Sequence, residues 1–167
     1  MLDRPIYRAI RRGQFRKIVE LGIGIGQRAV RMIEVAGSDG SPGEVRYTGI
    51  DLFEARSAID GPGVTLKMAH RLLKATGARV QLLPGDPFTA LSRAANGLTG
   101  TDLLIISARQ DPRPLARAWF YIPRMLHAQS LVLIEEVPVA GGPLVVRRVG
   151  ADEIARLASR VSHRRAA

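Results

Sequence analysis

The segment from residue 17 to residue 27, KIVELGIGIGQ, constrains the fold more than any other part of this chain. Its apolar run predicts a buried strand with one acid, Glu20, near its end. The alternating glycines Gly22, Gly24 and Gly26 predict a turn whose backbone can approach a ligand closely. Because a helical pattern follows at once, the segment predicts a strand, a tight turn and a helix N-terminus, which are the parts of a nucleotide-binding unit.

Short apolar runs alternate with segments of helical periodicity along the rest of the chain. Continuous apolar runs are typical of parallel strands that are buried on both faces. The alternation therefore predicts an α/β fold with a doubly wound, mostly parallel sheet of about six strands. The strands are predicted at about residues 17–21, 45–50, 79–83, 102–107, 130–135 and 144–149. The helices are predicted at about 4–12, 26–35, 64–76, 87–95, 113–127 with a kink at Pro123, and 151–160.

The chain length suits a single domain, and its charge is concentrated at the two ends. The net charge of the 167 residues is +10, yet the middle of the chain is nearly neutral. We divide the sequence into a basic N-terminal extension at 1–16, a ligand-binding domain at 17–160 and a basic tail at 161–167. Nearly all basic residues are arginines, which suit phosphate recognition. Contact with RNA or another polyanion is one interpretation of the ends, and a solvated basic surface is the other.

Residue types that the chain lacks exclude several classes of protein. It has no cysteine, which excludes disulfides, cysteine-ligated zinc and thiol catalysis. No apolar run approaches the ~18 residues of a membrane span, and no continuous hydrophobic segment follows the basic N-terminus. We therefore expect a cytoplasmic protein that does not contact a membrane. The histidines at 70, 127 and 163 are not spaced as metal ligands, so no metal site is predicted.

Polar residues follow the predicted strands at their carboxyl ends, where parallel sheets bind ligands. Asp51 ends the second strand and can accept two hydrogen bonds from a ribose diol. Gly85 and Asp86 follow the third strand and can bring backbone and a carboxylate to a base edge. The third glycine of the first turn comes one position too early for the G-x-G-x-x-G of nicotinamide enzymes. Simpler interpretations are a tight strand–helix turn for the glycines and helix caps for the two aspartates.

Taken together, E-x-G-x-G-x-G at 20–26, Asp51 and Gly85-Asp86 resemble the motifs of class I S-adenosylmethionine-dependent methyltransferases over about residues 17–137. The resemblance implies a Rossmann-like methyltransferase fold, S-adenosylmethionine as the cofactor, and methyl transfer as the activity. It also implies a role for each matching residue. The methionine part of the cofactor would be lined by Glu20, Gly22, Ile23, Gly24 and Gly26. The ribose would be held by Asp51, and the adenine would be contacted by Leu52, Gly85, Asp86 and Pro87. The reacting methyl group would lie against Ser107 and the turn that continues to Gln110.

The acceptor side matches no motif of these relatives. The Asp/Asn-Pro-Pro-aromatic motif of amino-methylating relatives is absent at 106–110, which reads ISARQ. Ser107 stands where metal-dependent O-methyltransferases place an Asp, and Glu135-Glu136 match their second acidic pair only loosely. The catalytic residue is therefore unknown, and the acceptor is undecided between a small molecule and RNA. The part after the fifth strand has room for about one strand and one helix, so a second copy in a homodimer could complete the site.

Two other functions stay open at this point. The missing catalytic motif is compatible with a non-catalytic methyltransferase-like binding module. The other is a nicotinamide-dinucleotide-dependent oxidoreductase on a similar sheet, although the glycine spacing argues against it.

Overall fold

The computed structural model describes residues 3–139 and 141–165, and of residues 162–165 it describes the backbone. The extreme ends of the predicted extension and tail, residues 1–2 and 166–167, lie outside the described residues. The strands are β1 Lys17–Leu21, β2 Arg46–Asp51, β3 Arg79–Pro84, β4 Thr101–Ile106, β5 Leu126–Glu136 and β6 Val145–Arg148. The helices are α1 Arg4–Gly13, α2 Gln27–Ala36, α3 Leu66–Lys74, α4 Pro87–Ala94, α5 Pro112–Ala118 and α6 Ala151–Arg165.

The strands form one sheet in the order β3-β2-β1-β4-β5-β6. The first five strands are parallel, and β6 is antiparallel to β5. This confirms the predicted doubly wound, mostly parallel sheet of six strands. The strand order reverses between β1 and β4, so the carboxyl ends of these strands border the crevice where open α/β sheets bind ligands.

Two apolar clusters fill the two faces of the sheet, because neighbouring residues of a strand point to opposite sides. Ile18 and Leu103 face α1, α2 and α3. Val19 and Leu104 face α4, α5 and α6. All four side chains are fully buried, and each stabilises the fold by about 1.5–3 kcal/mol.

Helix α1 is docked onto the body of the protein by its apolar stripe. Ile6 and Ile10, one helical turn apart, are buried in the same cluster as Ile18 of β1. The arginines of α1 are exposed on its other side.

The predicted long helix at 113–127 is wrong in its extent. Helix α5 ends at Ala118, a short 3₁₀ turn covers Ile122–Arg124, and β5 begins at Leu126. Pro123 supplies no backbone N–H and cannot continue an α-helix. The segment predicted as one helix is therefore divided among three elements.

Strand β5 also begins earlier than predicted, because a register shift in the β4–β5 pairing admits extra residues. Thr101 pairs with Leu126, whereas Leu103 pairs with Leu131.

Helix α6 continues to Arg165 rather than ending near 160. Among the described residues, no helix is long and apolar enough to cross a membrane.

Candidate functional site

The turn between β1 and α2 has a backbone conformation that suits glycine. Gly22, Gly24 and Gly26 have φ angles of 91°, 59° and 83°, in the region that costs residues with a Cβ roughly 1–2 kcal/mol. The Ile23 side chain is buried against Gly49 of β2 and holds the turn on the sheet. The turn therefore has a backbone conformation that glycine adopts without strain.

Asp51 lies at the end of β2, beside this turn, and its carboxylate is almost fully buried. Oδ2 accepts a hydrogen bond from the Gly24 backbone N–H at 2.9 Å. Oδ1 accepts hydrogen bonds from the backbone N–H groups of Leu52 at 2.7 Å and Phe53 at 3.4 Å. The Asp51 carboxylate thus joins the end of β2 to the glycine turn.

Arg56 also binds the Asp51 carboxylate. Its Nη2 forms an ion pair with Oδ1 of Asp51, and its Nη1 donates to the Asp60 carbonyl at 2.6 Å. A carboxylate offers about four acceptor sites, and Asp51 now accepts four hydrogen bonds. Three of these hydrogen bonds end on Oδ1 and one on Oδ2, so Arg56 competes with a ribose diol for Oδ1 of Asp51. The buried Nε of Arg56 has no hydrogen-bond partner in the described part of the chain.

A buried network of charges lies beneath the glycine turn. Oε1 of Glu20 accepts a hydrogen bond from Nε of Arg28 at 2.7 Å, and Oε2 accepts one from the Tyr47 hydroxyl. Nη1 of Arg28 pairs with Glu135, at the end of β5. The network therefore ties α2 to the ends of β1 and β5.

Burial and charge pairing set the protonation of this network. Burial raises the pKa of Glu20, against the lowering effect of Arg28 and of the Tyr47 hydrogen bond. Burial also raises the pKa of Tyr47 well above its ordinary value. For Arg28, burial lowers the pKa, but the attraction of Glu20 and Glu135 outweighs it and the net direction is upward. Arg28 therefore stays charged in this low-dielectric position.

Asp86 caps α4 at the carboxyl end of β3. Its Oδ1 accepts from the Thr89 backbone N–H at 3.0 Å, and its Oδ2 accepts from the Thr89 hydroxyl at 2.6 Å. Burial raises the pKa of this carboxyl, but the hydrogen bonds from Thr89 outweigh burial and hold the pKa below its ordinary value. Gly85 has φ of 133° and donates its N–H to the Asp51 carbonyl at 2.9 Å. The capping interpretation of Asp86 is thus correct, and Asp86 lines the same cavity as Asp51.

Residues 107–110, which we call the β4 turn, face the glycine turn across the crevice. The Ser107 backbone N–H donates to the Leu21 carbonyl at 2.9 Å. The Gln110 amide packs so closely on Gly22 that a Cβ there would overlap it, and Arg109 packs on Gly61 in the same way. The β4 turn therefore brings polar side chains directly over the glycine backbone.

Two cavities divide the crevice. A cavity of 280 Å³ lies over the glycine turn, and Arg28 and Ser107 are part of its wall. A second cavity of 40 Å³ lies between Leu52 and Gly85-Asp86-Pro87. Arg56, Arg109 and Gln110 line both cavities and form the partition between them.

These two cavities coincide with the sequence-predicted site residues, although larger cavities exist. One of 870 Å³ lies between α5 and α6, and one of 450 Å³ lies beside β3 and α4. Neither is lined by the glycine turn, Asp51 or Asp86. Glu20 is completely buried and reaches the crevice only through Arg28. The remaining predicted residues line one cavity or the other, except Gly26, the N-cap of α2.

The acidic pair at the end of β5 is divided between two partners. Glu135 pairs with Arg28, whereas Glu136 accepts from Nε of Arg147 at 2.7 Å. In the part of the chain that the structure describes, no group of three or more histidines and acids could hold a metal ion.

No protein-family model matches this chain, and no curated protein matches it in sequence. Solved structures match it in fold. The O-methyltransferase TomG from Streptomyces achromogenes, involved in tomaymycin synthesis and solved in complex with SAM, has 14% identity and a TM-score of 0.63. A provisionally named O-methyltransferase from Klebsiella pneumoniae has 18% identity and a TM-score of 0.59. The trans-methyltransferase CalH, in complex with SAH, has 16% identity and a TM-score of 0.51.

The match covers nearly all of this chain but only part of these proteins. The match to TomG covers 95% of this chain and 65% of TomG. The match to the Klebsiella protein covers 97% of this chain and 66% of that protein. The match to CalH covers 95% of this chain and 48% of CalH. At these identities the likeness concerns the fold. The chain has the Rossmann-like fold of class I methyltransferases, as its motifs implied.

Sequence reasoning missed the two arginines that organise the site. Arg28 lies in the first turn of α2, eight residues after Glu20, and a cation there signals a partner for a buried acid. Arg56 follows Asp51 by five residues in a loop, and its position carries no periodic pattern. The role of Arg28 could have been inferred from its charge. The role of Arg56 could not, because it depends on how the loop folds back over the end of β2.

Proposed function

We propose that this chain binds S-adenosylmethionine in the crevice and transfers its methyl group to an acceptor. The observation that carries this proposal is the 2.9 Å hydrogen bond from the Gly24 backbone to Asp51, which joins the glycine turn to the acid at the end of β2. The same two features form the sequence motif. TomG and CalH, which share this fold, were solved in complex with SAM and SAH, and this supports the proposal.

The residues of the crevice fit this cofactor once Arg56 turns away from Asp51. The backbone of Gly22–Gly26 would hold the methionine part, and Asp51 the ribose hydroxyls. Leu52 and Pro87 would contact the adenine ring, with Asp86 at its amine. When bound, the cofactor supplies an electrophilic methyl group. The chain's own contribution is to position an acceptor beside the β4 turn, since proximity and orientation lower the barrier of such a displacement.

A non-catalytic binding module is the second candidate. It is favoured by the Asp51 carboxylate, which already accepts four hydrogen bonds from this chain. In this case the fold would serve to bind a partner, and the crevice would not turn over a cofactor. A search for S-adenosylhomocysteine formed from S-adenosylmethionine separates the two candidates, because only the enzyme forms it.

Isothermal calorimetry with S-adenosylmethionine and S-adenosylhomocysteine tests the proposed function. We expect a dissociation constant on the order of micromolar. Asp51→Ala should weaken binding by about 1–3 kcal/mol, the scale for losing a hydrogen-bonded polar partner. Asp152→Ala, an exposed acid of α6, is the matched control and should bind as the wild type does.

Absence of heat and of a thermal shift with both compounds would reject the proposal. A parallel titration with nicotinamide dinucleotides tests the oxidoreductase interpretation. Circular dichroism of each variant verifies that it is folded.

A further inference from the structure

The β4 turn presents hydrogen-bond donors without partners to the cavity over the glycine turn. Ser107, Arg109 and Gln110 all line this cavity. Within the described residues, none of their side chains has a hydrogen bond or an ion pair. The turn is therefore equipped to bind a ligand that accepts hydrogen bonds.

Arg109 differs from the other two arginines of this cavity in its charge balance. Arg28 is paired with Glu20 and Glu135, and Arg56 is paired with Asp51. Arg109 has no acidic partner in the part of the chain that the structure describes. Its guanidinium is thus the cation of this cavity whose charge is available to an anionic ligand.

The same cavity offers little that could remove a proton from an acceptor. Its lining contains no histidine, and its one carboxylate is that of Asp3. Asp3 accepts a hydrogen bond from the Tyr7 hydroxyl at 3.4 Å and lies 3.9 Å from Nη1 of Arg28. Methylation of a hydroxyl would need a base within hydrogen-bond reach of the proton that leaves.

A carboxylate acceptor needs no such base, because it is already ionised at neutral pH. We infer that the methyl acceptor presents a carboxylate, which Arg109 holds with Gln110 and Ser107; this inference rests on the proposed function. One carboxylate oxygen forms a bond to the methyl carbon as the carbon–sulfur bond of the sulfonium donor breaks. The products are a neutral methyl ester and a neutral thioether, and no proton moves.

The charge of the acceptor disappears along this reaction, which sets the role of Arg109. Its ion pair is strongest with the bound carboxylate and weakens as the ester forms. Arg109 therefore contributes to binding and orientation more than to the rate of the bound complex. Arg109→Gln should raise KM for the acceptor by about ten- to a hundredfold and change kcat much less.

The test uses S-adenosylmethionine labelled in its methyl group and a cell extract that contains both small molecules and RNA. Products are treated with mild base, which releases labelled methanol from methyl esters and leaves methyl ethers and methylamines intact. We expect base-labile label with the wild type and a strong reduction with Arg109→Gln. Arg109→Lys should restore part of it, because the charge returns without the planar fork.

Two further measurements separate this inference from the proposed function. Arg109 borders both cavities that the donor would occupy, so binding of S-adenosylhomocysteine, measured by calorimetry, should be retained in Arg109→Gln and should change far less than KM for the acceptor. Arg113→Gln, an exposed arginine on α5, is the control and should leave label transfer unchanged. Base-stable label, label in RNA, or donor binding without any transfer would overturn the carboxylate inference, whereas failure to bind the donor would overturn the proposed function itself.

Discussion

The guanidinium of Arg56 pairs with the carboxylate of Asp51 in the place where the sequence motif requires a ribose. Both side chains are largely buried, with 14% and 4% of their surface exposed. Arg56 also separates the two cavities of the crevice. A ligand that spans both cavities must therefore displace Arg56, and its binding free energy is reduced by the cost of breaking this pair.

Arg56→Ala should tighten the binding of S-adenosylhomocysteine. The ligand would no longer displace a charge-assisted hydrogen bond, which contributes about 1.5–3 kcal/mol, so we expect an increase in affinity of about tenfold or more. The free energy of unfolding without ligand should fall, because Asp51 loses its cationic partner. Calorimetry measures the first effect and urea denaturation the second.

Arg46→Ala is the matched control for this substitution, since Arg46 is an exposed arginine at the start of β2, away from the crevice. It should change neither quantity appreciably. If Arg56→Ala instead weakens binding, Arg56 stays in place and contacts the ligand, and the displacement argument is wrong.

Gly22→Ala should abolish cofactor binding, whereas Gly40→Ala should not. Both glycines have φ of 91°, so both substitutions carry the same backbone strain of roughly 1–2 kcal/mol. A Cβ at Gly22 would lie 2.8 Å from the Ser107 Cβ and would overlap the Gln110 amide, while a Cβ at Gly40 meets nothing within 4 Å. Urea denaturation and calorimetry on the pair separate strain from contact. Equal binding by both variants would show that ligand binding does not depend on the close packing of Gly22 against the β4 turn.

Local patterns sufficed to predict the sheet and the strand ends that border the crevice. Apolar runs marked each strand, and glycines and aspartates marked the turns, because these features depend on residues close in sequence. The break after Ala118 could not be read from periodicity, since apolar residues keep their helical spacing through Trp119, Ile122 and Leu126. The Arg28–Glu135 pair joins residues 107 positions apart, and such pairing depends on the order of the strands.

Arg28→Met should destabilise the fold by about 3–5 kcal/mol. The substitution leaves Glu20 and Glu135 buried without their cation, and an uncompensated buried charge has this cost. Glu20→Gln in the same chain should recover part of the loss by removing one of the two charges. Arg31→Met on the same helix is the control, because its pair with Glu34 is half exposed and contributes at most about 1 kcal/mol. Similar unfolding free energies for Arg28→Met and Arg31→Met would contradict the buried network.

Asp86 should contribute to stability in a pH-dependent manner. Its pKa in the folded protein lies below the ordinary 3.8, so its contribution is fully present above 3.8 and is lost as the pH falls through the folded-state value. Asp86→Asn keeps a good cap for α4 but removes the charge, whose interaction with the helix N-terminus contributes about 0.3–1 kcal/mol. The difference in unfolding free energy between wild type and variant should therefore be largest near about pH 6 and shrink toward about pH 3. A difference in unfolding free energy that stays constant over this pH range would mean that the charge of Asp86 does not stabilise the folded protein.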